Sequence, residues 1–306
     1  MKRKILFAII IAMFISILTG CAIENDEKSE AAIESNTENE FISLRKNYNS
    51  KLTKEGPAPQ KYKELSLPDN TALITYKSGE LSLKALILDN IDKNKKYPAI
   101  VFVHGGFAFD AGYWEIIKPY VDAGFIVMTP MLRGENGNPG NYELIYGEVD
   151  DVIAAGKYLK DLPYVDSNNI FLAGHSSGGA ISILASMMPS NYKAVASFGA
   201  APLDLKAELD ANKKLEPIIP FDTSISNEFD LRTPIKYPHC VTKPLYMFVE
   251  SESHIPEIQN LTKSFVQEVK ENGIESEYYV IQGDHISALE GSIKQSVEIF
   301  KEKIEK

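Results

Sequence analysis

Over most of the chain, short and nearly unbroken apolar runs alternate with longer stretches in which apolar residues recur every three or four positions. Ala99 to Val103, Phe125 to Thr129, Ile170 to Ala173, Ala194 to Phe198 and Leu245 to Val249 are runs of the first kind. They predict strands buried on both faces of a sheet. Between them, Trp114, Ile117 and Val121, then Val149, Val152, Ile153 and Gly156, then Ile258, Leu261, Phe265 and Val269 predict helices with one apolar stripe. A helix-like run, Ala180 to Met188, follows the third strand run, and Glu277 to Ile281 with the stripe Leu289, Ile293, Val297 and Phe300 closes the series. Ahead of it, Ala72 to Tyr76 and Leu81 to Leu88, joined at Ser78-Gly79, read as a hairpin at a sheet edge. Strands alternating with helices define an α/β domain: a mostly parallel sheet with helices on both faces. From Ala201 to about Cys240 the alternation breaks down into Pro, Asp and Lys around a helix-like piece, Leu205 to Lys213. A cap insertion over a site fits there.

Before residue 66 the pattern is different. Residues 21–65 are rich in Glu, Ser, Asn and Lys, hold few large apolar groups and include Gly56-Pro57-Ala58-Pro59, so they are expected to form a flexible tether. Residues 1–20 open with the basic Lys2, Arg3 and Lys4, followed by the apolar run Ile5 to Leu18, short for a membrane span. The next four residues, Leu18-Thr19-Gly20-Cys21, resemble the lipobox of bacterial lipoproteins. That resemblance implies cleavage before Cys21, a lipid on its sulfur and a protein held at the membrane outside the cytoplasm. The expected organisation is thus a signal peptide over 1–20, a tether over 21–65 and a catalytic domain over 66–306 with its insertion at about 201–240. The formal charge of -10 falls to -13 once the first twenty residues are removed, which argues against a nucleic-acid partner. Two cysteines, Cys21 and Cys240, make no disulfide framework.

Candidate chemistry centres on Gly174-His175-Ser176-Ser177-Gly178-Gly179. A serine between glycines at a strand-to-helix junction reads as a nucleophile elbow, because the tight turn leaves no room for neighbouring side chains. Ser176 is the candidate nucleophile. His285, in Gly283-Asp284-His285 after the last strand, is the candidate general base by chain order. His104 and His175 fall in backbone turns, His239 in the insertion and His254 beyond the seventh strand. Backbone N–H groups of Ser177 and of Gly106, in His104-Gly105-Gly106, are the candidate oxyanion hole. The same order places the acid after Leu245 to Val249, where the chain reads Glu250-Ser251-Glu252-Ser253-His254-Ile255-Pro256 without an aspartate. Glu252, Glu250 and the more distant Asp204 are the choices. Arg133 fits either a substrate carboxylate or a loop-holding role. No metal or other cofactor is called for, since neither His-Glu-x-x-His nor clustered Cys/His spacing occurs.

Val103-His104-Gly105-Gly106, Arg133-Gly134, Tyr164-Val165-Asp166, Gly174 to Gly179 and Gly283-Asp284-His285 together resemble α/β-hydrolases of the prolyl oligopeptidase and dienelactone hydrolase type. The resemblance runs from about Thr71 to Lys303. It implies the α/β-hydrolase fold and acyl transfer to water through a covalent Ser176 ester, with peptides, amides or carboxylic esters as substrates. In such hydrolases the acid loop commonly reads Gly-x-x-Asp-x-x-Val-Pro. Aligning backward from Ile255-Pro256 puts Glu252 at the acid, whereas counting forward from Pro244 arrives at Ser253. Glu252 is therefore the expected acid, with Glu250 behind it.

Oligopeptidases of this family usually carry a β-propeller ahead of the catalytic domain, and here a polar tether stands there. That favours an esterase acting on a small acyl ester, with a prolyl oligopeptidase-like serine peptidase as the alternative. The irregular acid loop motivates a third reading from another class, a lipid-anchored binding protein that kept the fold and lost the chemistry.

Overall fold

The computed structural model describes residues 39–253 and 257–304. Eight strands form one sheet: β1 (Thr71–Ser78), β2 (Leu81–Leu88), β3 (Tyr97–Val103), β4 (Ile126–Pro130), β5 (Val165–His175), β6 (Val195–Phe198), β7 (Leu245–Glu250) and β8 (Ser276–Ile281). Their spatial order is β1-β2-β4-β3-β5-β6-β7-β8. The hairpin pairs antiparallel, β2 meets β4 antiparallel, and every other pairing is parallel. Eight helices accompany them among the described residues: α1 (Glu40–Lys46), α2 (Gly112–Asp122), α3 (Glu148–Asp161), α4 (Ser177–Ser186), α5 (Leu205–Ala211), α6 (Ser226–Asp230), α7 (Ile258–Glu271) and α8 (Ala288–Ile304). This is the α/β-hydrolase fold.

The apolar runs are buried because helices cover both faces of the sheet. Ala99 to Val103 and Ile170 to Ala173 are fully buried. On β5, Phe171 stacks on Phe300 of α8 with ring centroids 4.5 Å apart. Three residues on, a Cβ at Gly174 would lie 2.2 Å from the Gly178 carbonyl oxygen of α4. Positions three apart on a strand face opposite sides, so α8 and α4 sandwich the sheet. Strand β3 has its successor β4 on one side and β5 on the other. The loops after β3 and β5 therefore diverge and leave a crevice at the carboxyl ends of the strands.

Part of the expected tether is folded. Residues 22–38, with the lipobox and signal segment before them, lie outside the described residues, but from residue 39 the chain packs onto the domain. Phe41 of α1 is fully buried. Asn39 accepts from the N–H groups of Phe41 and Ile42 and donates to the carbonyls of Met187 and Cys240. Beyond α1, Leu52 bridges to Phe221, Tyr142 N–H donates to Gly56 O, and Ala58 N–H donates to Gly134 O. The folded domain thus starts near residue 39 rather than 66. The polar composition of this strap misled because its partners lie far away in sequence.

Candidate active site

The elbow is shaped by what its glycines avoid. A Cβ at Gly174 would strike the Gly178 carbonyl, and one at Gly178 would lie 2.3 Å from the Val103 carbonyl oxygen. Between them Ser176 takes φ 55° and ψ -120°, a left-handed conformation that a non-glycine residue adopts only under constraint. Its N–H donates to Phe198 O at 2.9 Å, fixing the turn to β6. Ser176 and His285 line one cavity of about 560 Å3 at the carboxyl ends of the strands.

The acid beside His285 is Glu250, not Glu252. Nδ1 of His285 lies 3.2 Å from Glu250 Oε1, and Ser253 Oγ donates to the same oxygen at 3.1 Å. Glu250 is the last residue of β7 and is buried. Burial alone would raise its carboxyl, but the hydrogen bond and charge of His285, with Ser253, outweigh it and hold it at about 2. A carboxylate in that position must accept, so Nδ1 carries the proton and Nε2 is left with its lone pair. Gly199 makes room for the pair: a Cβ there would meet Glu250 Oε2 and two His285 ring atoms, each at 3.0 Å. Glu252 is exposed, its carboxylate accepts from Gln282 and its N–H from the backbone is bonded to Gly283 O. Alignment on Ile255-Pro256 fails because the acid here stands on the strand's final residue and reaches the imidazole with glutamate's extra methylene. Asp204 caps α5, accepting from Ala207 N–H.

On the other side of Ser176, the candidate oxyanion donors are tied to each other. Ser177 opens α4, so its N–H has no acceptor within the helix. Its hydroxyl donates to the Gly106 carbonyl at 2.8 Å. His104 is buried against Glu135 at 3.0 Å, anchoring the start of this loop. Gln60, in the segment read as a tether, accepts from Phe107 N–H at 2.9 Å, and a Cβ on Gly106 would lie 2.6 Å from the same oxygen. No local signal in the sequence points to Gln60, because its partner is 47 residues away.

The cavity wall is mostly apolar, with Phe107, Leu144, Pro202, Leu205, Leu215 and Ile219 around the nucleophile. The 201–240 segment supplies four of these. Glu208 also lines it, its carboxyl raised to about 7 by burial while it accepts from Leu203 N–H. Arg133 lies outside this cavity. It bonds Asp151 and Glu143 and thereby holds loops.

A nucleophile elbow on this fold, sharing a mostly apolar cavity with a histidine, defines a serine hydrolase. The sequence profile of the prolyl oligopeptidase family matches residues 112–289, more than half of the chain, and the chain belongs to that family. Dipeptidyl-peptidase 5 of Porphyromonas gingivalis is 30% identical over 115 residues, which is 34% of this chain and 17% of that protein. The chain spans a similarly small share of the other dipeptidyl peptidases it matches. Among solved structures, a puromycin-hydrolyzing peptidase of Mycobacterium tuberculosis superposes with TM-score 0.64 at 18% identity, covering 79% of this chain and 41% of that one. The esterase Est2 of Thermogutta terrifontis, in its butyrate-bound structure, gives TM-score 0.60 at 17% identity, with 76% and 94% covered. At these identities the two structures share the fold. Peptidases dominate these relatives, which back the peptidase alternative better than the esterase preference drawn from the sequence.

Proposed function

We propose that this protein is a serine peptidase that cleaves peptide or amide bonds through an acyl-enzyme on Ser176. The contact between His285 Nδ1 and Glu250 Oε1 is the observation that carries this reading, because it leaves Nε2 of a base in the strained serine's own cavity ready to take a proton. His285 removes the Ser176 proton as Oγ attacks the carbonyl carbon, and returns it to the leaving amine. Glu250 holds the tautomer and stabilises the imidazolium. The N–H groups of Gly106 and Ser177 receive the oxyanion. Water, activated by the same histidine, then releases the acid. The apolar wall suits an uncharged acyl side chain.

The test is labelling with a fluorophosphonate followed by turnover of matched p-nitroanilides and p-nitrophenyl esters. Folded wild-type protein that fails to label would sink the enzyme reading and favour a binding protein. Ester turnover with no amide turnover favours the esterase reading, which the high coverage of Est2 supports.

We further propose that the chain is a lipoprotein anchored through Cys21 outside the cytoplasm. The basic start, the apolar run and Leu18-Thr19-Gly20-Cys21 support this. Radiolabelled palmitate should enter wild-type protein and not Cys21→Ser, and release of wild-type protein into a soluble fraction without detergent contradicts the proposal.

A further inference from the structure

Next to the nucleophile in the chain, and against the base in space, stands a second histidine that the mechanism above does not use. His175 is buried, and its ring lies against that of His285 with centroids 4.7 Å apart. Its Nε2 is 3.0 Å from the carbonyl oxygen of His285, and its Nδ1 is 3.0 Å from the hydroxyl of Tyr113 on α2. That hydroxyl in turn accepts the N–H of Gly105 at 3.0 Å.

The two ends of this chain fix every role within it. A backbone N–H only donates and a backbone carbonyl only accepts. Gly105 N–H therefore occupies a lone pair of the Tyr113 oxygen, and the phenolic proton points to His175 Nδ1. An accepting Nδ1 leaves the ring proton on Nε2, where it donates to His285 O. We propose that Tyr113 and His175 form a positioning relay that holds the backbone of the general base in register with the oxyanion loop. The inference rests on the reading of Ser176, His285 and Gly106 given above.

Three further observations fit. The relay needs a neutral His175, and burial, followed by the neighbouring His285, pushes that imidazole down to about 4. Gly105 is required for more than turning the chain: a Cβ there would lie 2.8 Å from the Tyr113 hydroxyl and 3.0 Å from both His175 Nδ1 and Ser176 Cβ. The strands behind the two loops that the relay joins, β3 and β8, are not neighbours in the sheet but are separated by β5, β6 and β7. A serine hydrolase site needs the oxyanion donors and the base fixed relative to one oxygen atom, and misplacement by about 1 Å costs up to a hundredfold.

Tyr113→Phe removes one oxygen and keeps the ring in its contacts with Phe102 and His104. It should lower kcat about tenfold with KM within about twofold, because the ground-state pocket is untouched. His175→Phe should lower kcat at least as much, and the double variant no further than His175→Phe alone, since the two groups act in series. Two-bond proton–nitrogen spectra of the full chain give a readout independent of turnover. Wild-type His175 should show the Nε2–H tautomer, and Tyr113→Phe a mixture. An Nδ1–H tautomer in wild type, unchanged kcat in Tyr113→Phe, or additive losses in the double variant would each overturn the relay. If wild type neither labels nor turns over, the peptidase reading fails, while the tautomer spectra still decide the hydrogen-bond chain.

Discussion

The two halves of the site are built on opposite principles. Below Ser176 is the sheet, whose core is a single apolar cluster of strand and helix residues. Above it is a separate small cluster of Tyr142, Leu144, Leu205, Leu209, Ile219, Phe221 and Phe229. That cluster leans on a buried polar node. Glu228 pairs with Arg232 at 2.6 Å and accepts from Tyr48, Ser50 and the N–H of Lys51, while Arg232 also donates to the carbonyls of Glu143 and Leu144 at 2.9 Å. The lower half sets the reacting atoms on strand ends, where period and packing leave little freedom. The upper half shapes the substrate cavity and is held by an ion pair four residues apart, whose carboxylate accepts from neutral donors more than 170 residues away. Scaffold and recognition therefore fail in different ways when disturbed.

The largest effect belongs to the lower half. Glu250→Gln keeps the size of the side chain but lets the imidazole take the wrong tautomer, so kcat should fall about 10^3- to 10^4-fold. Glu252→Gln should leave kcat and KM within about twofold, since its partner Gln282 is exposed. Steady-state turnover of one amide substrate by both variants checks the assignment. The reverse order restores Glu252 as the acid.

In the upper half the corresponding lesion is thermodynamic. Glu228→Gln leaves the Arg232 guanidinium buried without its counter-charge, which costs about 3–5 kcal/mol of stability. Denaturant unfolding should show that loss, while fluorophosphonate labelling of Ser176 at low temperature persists because the elbow rests on the sheet. Loss of labelling in folded protein would mean that the two halves are not separable.

The same contrast explains what could be read in advance. Ala99 to Val103, Ile170 to Ala173 and the other runs declared their strands because burial on both faces demands continuous apolar residues. Ser176 declared itself because Gly174 and Gly178 have no alternative. His285 followed from chain order. Glu250 did not, since the choice between two glutamates depends on where β7 ends, and the loop pattern used to count that end has a different length here. The strap over residues 39–60 was invisible for a stronger reason. Asn39, Tyr48, Ser50 and Gln60 look like solvated residues, and partners more than forty positions away tie them to the domain.

Gln60 is the point where that strap touches the chemistry. Gln60→Ala removes the acceptor for Phe107 N–H, an exposed hydrogen bond worth about 1 kcal/mol at most. Translated to the oxyanion loop, the expected loss is about fivefold in kcat with the melting temperature nearly unchanged. A change in KM alone would place Gln60 in the cavity wall instead of behind the loop.

The smallest effect concerns pH, and its sign differs between two buried carboxyls. Glu250 is held at about 2, below its ordinary value of 4.5, so the stability it contributes is present above about pH 4.5 and is lost as pH falls toward 2. Glu148, at the start of α3, accepts from the N–H groups of Glu143 and Tyr146 and is raised to about 8 by burial. For a raised carboxyl the contribution is present below about pH 4.5 and declines as pH rises toward 8. Glu148→Gln should lower the melting temperature overall, because the amide replaces one acceptor with a donor, yet flatten its decline between about pH 5 and 8. Glu250→Gln should flatten the acid side and leave that decline in place. If both variants flatten the same limb, Glu250 on β7 and Glu148 on α3 share one titration and the two carboxyls are not electrostatically separate.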